Sequence, residues 1–143
     1  MRTVMKTNAE QIFDLMNLYA VRGLIKTISL RQVSDRLAAA VRTEDTVARL
    51  GGDEFAVLSP NLSDALGIER LATRMVEEMV RPFTILGSPV NISGSVGVAI
   101  APRDGSTVEE LMVNADAAMY ESKKAGRNTF SLYAGGAQPN QMV

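Results

Sequence analysis

The chain has 143 residues, of which 46% are hydrophobic and 22% charged, and its formal net charge is −1. This length and composition predict one globular domain with a substantial core. The sequence has no cysteine and no histidine, which excludes thiol nucleophiles, histidine bases, disulfides and structural zinc. Acidic and basic residues are interspersed, so we expect neither nucleic-acid binding nor a polybasic membrane patch. The remaining carboxylates, lysines, arginines and hydroxyls, with a hard metal, suit phosphoryl or nucleotidyl transfer.

The first 28 residues predict mainly helix. Helical spacing of apolar residues favours an amphipathic helix from about Asn8, and these residues are Ile12, Leu15, Met16 and Tyr19. A second helix is predicted over residues 29–42. Gly23 is the only breaker between the two, so the pattern leaves open two helices or one long helix. Charged residues interrupt the most apolar stretch, so no membrane insertion is predicted, and the lack of cysteine fits the cytoplasm.

The run Arg49-Leu50-Gly51-Gly52-Asp53-Glu54-Phe55 predicts a β-hairpin with a polar tip. Apolar residues flank it on both sides, so residues 46–50 and 55–59 are expected to pair. Glycines let a backbone approach a phosphate or base closely, because no Cβ intervenes. Adjacent carboxylates are hard oxygen ligands of the kind Mg²⁺ uses while it holds substrate phosphates. The alternative interpretation is an ordinary turn with two solvated charges.

The second half of the chain alternates helix and strand. A helix is predicted over residues 63–80, ended by Pro82. Residues 90–100 alternate with period two and predict the clearest strand. Residues 129–133 are expected to form a last strand, and residues 134–143 a frayed tail. Together the elements predict an α/β (α+β) sandwich, in which helices flank a mostly antiparallel sheet.

A further helix is predicted between these two strands. Thr107-x-x-Glu110 has the pattern of a capping box, and Gly126 is placed to end the helix after about Ala125. Its predicted buried stripe is Leu111, Ala115, Ala118, Met119 and Ser122.

Two pairs of charged residues lie near predicted element ends. Lys123 and Arg127 are four apart at the end of the last helix, where a lysine point charge and an arginine fork can hold phosphate oxygens. The alternative is that they complement the helix dipole. Arg42 and Asp45 form an R-x-x-D pattern before the hairpin. Arg42 and Asp45 could bind a ligand together, or they could simply pair with each other, which contributes little to stability at a surface.

These motifs, in this order, resemble the GGDEF family of diguanylate cyclases, which join two GTP molecules into cyclic di-GMP. The hairpin tip resembles the family signature, and residues 115–128 resemble its closing helix and motif. The resemblance covers about residues 30–133 and is taken to define a domain over residues 29–133. It implies the palm-like fold of nucleotidyl cyclases, a Mg²⁺ (or Mn²⁺) cofactor, GTP and cyclic di-GMP as partners, and a cytoplasmic homodimer.

The resemblance also implies a role for each motif residue. Asp53 and Glu54 would be the catalytic residues and metal ligands. Gly51, Gly52, Lys123 and Arg127 would bind the substrate. Arg42 and Asp45 would form an inhibitory site for cyclic di-GMP.

Residues 1–28 depart from the family pattern. Members normally begin with a strand resembling F-x-D-x-D-x-F-K, which supplies a metal ligand in the middle of the sheet, and guanine-reading residues follow. Here that segment is missing, so metal binding and discrimination of GTP from ATP should both be weak. The sheet is then completed either by residues 1–7 as a strand or by a second chain. Three hypotheses stay open: an active cyclase, a non-catalytic module that binds GTP or cyclic di-GMP, and a truncated remnant.

Overall fold

The computed structural model describes residues 3–10, 19–51, 54–62 and 64–135. Seven strands and three helices lie within these ranges. In chain order they are β1 (Thr3–Glu10), α1 (Tyr19–Ala40), β2 (Thr46–Gly51), β3 (Glu54–Ser59), α2 (Ala65–Val80), β4 (Phe83–Ile85), β5 (Ser88–Val90), β6 (Ser93–Ile100), α3 (Val108–Lys124) and β7 (Thr129–Leu132).

Among the described residues, the main sheet has five strands in the order β2-β3-β1-β6-β7, and β4 and β5 form a separate pair. Every pairing in the main sheet is antiparallel except that of β6 with β7. The predicted sandwich with a mostly antiparallel sheet is therefore confirmed. None of the helices in the described ranges is long and apolar enough to cross a membrane.

The middle of the main sheet is formed by β1, so the alternative in which residues 1–7 complete the sheet as a strand is confirmed for residues 3–7. Strand β1 pairs with β3 on one side and with β6 on the other. The helix predicted from about Asn8 is wrong for residues 8–10, because pairing with two neighbouring strands outweighs a weak local pattern. The other apolar positions of that helix, in residues 11–18, lie outside the described residues.

The first described helix, α1, continues through Gly23 without a break, so over residues 19–40 the chain forms one helix and not two. Four residues of its second half are buried in the core: Leu30, Val33, Leu37 and Ala40. The domain boundaries proposed at residues 28/29 and 133/134 stay predictions.

The two faces of the sheet carry different helices. Buried residues of α1 and α2 pack against Met5, Phe55, Val57, Val96 and Val98 in the larger core. Helix α3 covers the opposite face, where Leu111 and Ala115 pack on Ala99. Its buried side chains are the five that the sequence predicted. Its capping box is also present, since Thr107 accepts from the N–H of Glu110 and Glu110 accepts from the N–H of Thr107.

The segment between α2 and β6 differs from its prediction. Residues 90–100 do not form one strand, because Val90 ends β5 and β6 begins at Ser93. The β4–β5 hairpin turns at Leu86 and Gly87, which both have positive φ (50° and 80°), as a two-residue type I′ turn requires. Pro82 directly precedes this short hairpin and Pro89 lies within β5, and because proline is depleted in strands the hairpin was not evident from the sequence.

Candidate functional site

The β2–β3 hairpin forms as predicted and ends in an irregular tip. The pairing register shifts between Arg49 and Gly51, and Gly51 then pairs with Glu54. Gly51 has a φ of 142°, a backbone conformation that favours glycine. Among the described residues beyond its chain neighbours, no atom lies within 4 Å of the position that a Cβ would occupy. Gly52 and Asp53 lie outside the described residues. The open space beside Gly51 lets a ligand approach the backbone at this residue closely.

Glu54 occupies a row of residues that crosses the sheet. Asn8 of β1 pairs with Glu54 on one side and with Ser95 of β6 on the other, and Ser95 pairs with Thr129 of β7. Adjacent strands are about 4.8 Å apart, so the Cα atoms of Glu54 and Thr129 are separated by roughly 14 Å along this row. Arg127 comes two residues before Thr129. The segment that carries it therefore lies at the same end of the sheet as the hairpin tip.

The last turn of α3 lies at this same end. The N-terminal half of α3 packs on Ala99 through Leu111, whereas the hydroxyl of Ser122 bonds to the carbonyl oxygen of Val96 at 2.8 Å. The helix therefore runs antiparallel to β6 and ends above the row that contains Ser95. Lys123 lies in this last turn.

Glu54 and α3 share one face of the sheet. Phe55 and Val57 belong to the core on the opposite face, and successive side chains of a strand alternate between faces. Glu54 is half-buried on the α3 side. A carboxylate at one edge and the cations at the end of α3 therefore border the same corner of the molecule.

The turn after α3 fixes where Arg127 leaves the helix. The N–H of Gly126 donates to the carbonyl oxygen of Lys123 at 3.3 Å, and the N–H of Arg127 donates to the carbonyl oxygen of Ser122 at 3.1 Å. These two bonds form a Schellman motif, with Gly126 (φ 109°) in the left-handed position. Gly126 thus terminates the helix as the sequence predicted.

Asn128 anchors the same turn and was not assigned a role from the sequence. Its N–H donates to the carbonyl of Gly94 at 2.7 Å, and its side-chain oxygen accepts from the N–H of Gly94 at 3.1 Å. Asn128 has a φ of 50°, which asparagine tolerates better than most residues. An asparagine two residues after a helix-ending glycine was the available signal.

The carboxylates at the hairpin tip are hard oxygen donors of the kind that bind Mg²⁺. In the described ranges, no three acidic, histidine or cysteine side chains gather in a way that could hold a metal ion. Glu54 and its sequence neighbour Asp53 are the carboxylates at the tip. Mg²⁺ is commonly held by one or two carboxylates plus substrate phosphates, so this donor set fits a metal shared with phosphates and not an all-protein cage.

Arg42 and Asp45 are paired with each other. The Asp45 carboxylate accepts from the backbone N–H of Arg42 at 2.8 Å, from the Arg42 guanidinium at 3.2 Å and from the hydroxyl of Ser59 at 2.7 Å. The side chain of Asp45 is fully buried, whereas that of Arg42 is 37% exposed and also contacts Glu44 at 3.3 Å. The pairing of Arg42 with Asp45, which the sequence analysis gave as an alternative, is thus present. The inhibitory role of the two residues stays a prediction.

The pKa of the Asp45 carboxyl is lowered by this environment. Burial alone would raise it, but the hydrogen bonds from the Arg42 N–H, the Ser59 hydroxyl and the Arg42 guanidinium outweigh burial. The hydrogen bond between the Arg42 guanidinium and the Asp45 carboxylate also raises the pKa of Arg42. Both side chains are therefore held in their charged forms.

Two cavities lined by described residues lie at the other end of the sheet. One, of about 610 Å³, surrounds the Asp104–Gly105 turn. The other, of about 330 Å³, lies between the start of α2 and Leu132. Because β6 begins near the hairpin tip and ends at Ile100, both cavities are remote from Glu54.

Comparison with known proteins places this chain and its fold in one family. The model of the diguanylate cyclase GGDEF domain matches residues 28–129. The bifunctional diguanylate cyclase/cyclic di-GMP phosphodiesterase MucR of Pseudomonas aeruginosa is 43% identical over 111 residues, which cover 78% of this chain and 16% of MucR.

Solved structures agree. An EAL/GGDEF domain protein from M. capsulatus has a TM-score of 0.84 at 32% identity, over 93% of this chain and 84% of that one. The GGDEF domain of YfiN (TpbB) from Pseudomonas aeruginosa has a TM-score of 0.83 at 30% identity, over 93% and 82%. The chain belongs to the GGDEF family, whose domains share a palm-like fold and generally use a divalent metal.

Proposed function

We propose that this domain binds GTP with Mg²⁺ at the corner between the hairpin tip and the end of α3. The observation that carries the proposal is the common row of Glu54 and Thr129, which brings the carboxylate edge and the Arg127 segment to one end of the sheet. A nucleoside triphosphate needs a metal on one side and cations on the other. The MucR match supports guanine nucleotides as the substrate class.

Each site residue has a proposed task. Asp53 and Glu54 hold the metal, the open backbone at Gly51 lets the nucleotide lie against the hairpin, and Gly52 is assigned the same task from the family motif. Bound Mg²⁺ would neutralise phosphate charge and help to activate the attacking 3′-hydroxyl. The phosphates are held by cations at the opposite rim: Lys123 and Arg127.

We further propose that two copies of the domain condense two GTP molecules into cyclic di-GMP, in which each 3′-hydroxyl attacks the α-phosphorus of the other GTP and two pyrophosphates leave. The corner offers one set of metal and phosphate groups, so the second GTP comes from a symmetry-related copy, as in a two-fold homodimer. The central strand reads TVMKTNAE and contains no aspartate, so the metal has fewer carboxylates than the family pattern provides. We therefore expect slow turnover.

Mass-spectrometric detection of cyclic di-GMP, after incubation of concentrated protein with GTP and Mg²⁺, tests the reaction. The expected result is a slow, Mg²⁺-dependent product that disappears in Glu54→Gln. The matched control is Glu77→Gln, which changes an exposed carboxylate of α2 and should leave product formation unchanged. GTP binding without product would leave the binding site standing and favour the non-catalytic module. Failure of the wild type to bind GTP in calorimetry would overturn the proposal.

A second proposed site takes cyclic di-GMP at Arg42. The Arg42 guanidinium is partly exposed while buried Asp45 fixes it from behind, so Arg42 would contact a guanine or phosphate and Asp45 would hold Arg42 in place. Calorimetry with cyclic di-GMP should show binding that is lost in Arg42→Ala and kept in Glu44→Ala. Equal affinities in both variants would remove this site.

A further inference from the structure

Ser95 is a buried hydroxyl with no evident structural use. It is 1% exposed, and in the part of the chain that the structure describes its Oγ is the one buried side-chain polar atom without a hydrogen-bond partner. A buried hydroxyl left unpaired destabilises a folded protein, because its hydrogen bonds to water are lost and not replaced. Such groups are uncommon in folded proteins and call for an explanation.

Ser95 faces α3, on the side of the sheet that carries the proposed GTP site. A Cβ added at Gly97 would lie 2.0 Å from the Ala115 carbonyl oxygen of α3. Ser95 lies two residues before Gly97 on β6, so its side chain is on the same face of the sheet, toward α3. On β7, Ser131 bonds to Ser122 of α3. Thr129 is two residues from Ser131 and pairs directly with Ser95, so the Thr129 hydroxyl lies on the same face.

The hydroxyls of Ser95 and Thr129 lie between the core and the exposed segment that carries Arg127. Ser95 is buried, Thr129 is half-buried, and Arg127 just before it is exposed. Lys123 lies in the last turn of α3 above them. Hydroxyl donors beside a lysine and an arginine make up a typical phosphate-binding set.

We propose that Ser95 and Thr129 bind a phosphate oxygen of the triphosphate that Lys123 and Arg127 attract. In this proposal, which rests on the proposed function, the Ser95 hydroxyl donates its hydrogen bond only when phosphate is present. The unpaired hydroxyl then has a use, because the bond absent from the unliganded domain is made to the substrate. Removal of the hydroxyl should cost the free protein nothing and cost the phosphate complex one charge-assisted hydrogen bond.

Ser95→Ala and Ser122→Ala form a matched pair. Both remove a buried hydroxyl from the contact between α3 and the sheet, but Ser122 bonds to Val96 and Ser131 at 2.8 Å each. In thermal unfolding without additions, Ser95→Ala should unfold at or above the wild-type temperature, and Ser122→Ala should unfold earlier. Thr129→Val is a second test variant, of nearly the same shape as threonine.

Calorimetry with two probes tests the phosphate contact: Mg²⁺ with GTP, and Mg²⁺ with inorganic tripolyphosphate, which has no base or ribose. Ser95→Ala should bind both probes about tenfold more weakly or worse, Thr129→Val should be weakened in the same way, and Ser122→Ala should stay within about twofold of wild type.

Three outcomes oppose these expectations and differ in what they overturn. Wild-type affinity in Ser95→Ala would overturn this proposal and leave the proposed function intact. Early unfolding of Ser95→Ala, equal to that of Ser122→Ala, would show a structural partner and also overturn it. Failure of the wild type to bind either probe would overturn the proposed function itself.

Discussion

Replacement of Asp45 by alanine tests whether the R-x-x-D segment is first a structural clamp. Its carboxylate joins the end of α1 to β3, because it accepts from the backbone N–H of Arg42 and from the hydroxyl of Ser59. Ser59 is fully buried. In Asp45→Ala its hydroxyl and the Arg42 N–H would both lose their acceptor, whereas the partly exposed Arg42 guanidinium keeps Glu44 and water.

The magnitude follows from these lost bonds. Each buried donor left unpaired costs about 1–3 kcal/mol, so Asp45→Ala should lower the free energy of unfolding by about 2–5 kcal/mol. For a domain of this size, such a loss lowers the unfolding midpoint by roughly 6–15 °C.

Urea unfolding of the wild type, Asp45→Ala and Glu44→Ala measures the effect. Glu44 contacts the same arginine at 3.3 Å but is 45% exposed, so Glu44→Ala should cost less than about 1 kcal/mol. If the two variants unfold within about 0.5 kcal/mol of each other, the carboxylate of Asp45 does not clamp the fold, and the reasoning from burial is refuted.

Three further predictions concern stability. Gly97→Ala places a Cβ 2.0 Å from the Ala115 carbonyl oxygen and should cost about 3 kcal/mol or more in urea unfolding, so a neutral result would contradict the packing of α3. Thr107→Ala removes a capping box and should cost about 1 kcal/mol in the same assay; an unchanged midpoint would argue against the cap. The lowered pKa of Asp45 stabilises the fold above its unfolded pKa of about 4, and this contribution is lost as pH falls through the lower folded value. Asp45→Asn should remove that part of the acid dependence, and an unchanged acid profile would count against it.

The sequence predicted α3 and the β2–β3 hairpin correctly, because both depend on residues that are close together in the chain. The capping box of α3, its glycine terminator and its buried stripe depend on residues three or four apart, and all three are present. The hairpin around Gly51 follows from turn residues between apolar runs. The family motifs were therefore placed on the correct elements.

The sequence offered a strand in residues 1–7 only as one of two ways to complete the sheet, because non-local pairing decides between them. Nothing within residues 3–10 distinguishes a strand from the start of a helix, and only the edges of β3 and β6 impose the extended form. The contribution of Asn128 depends likewise on Gly94, which is 34 residues distant. For Arg42 and Asp45, the sequence could not decide between mutual pairing and ligand binding, since burial of the carboxylate is a tertiary property.

The claim that both edges of the corner act on one bound nucleotide is tested most directly by a double-mutant cycle. Glu54→Gln and Lys123→Ala, alone and together, would be titrated with a non-hydrolysable GTP analogue in Mg²⁺ by calorimetry. Because metal and phosphates belong to one complex, the two losses should be non-additive by about 1 kcal/mol or more. Losses that add to within about 0.3 kcal/mol would show that Glu54 and Lys123 do not share a ligand, and would contradict the account.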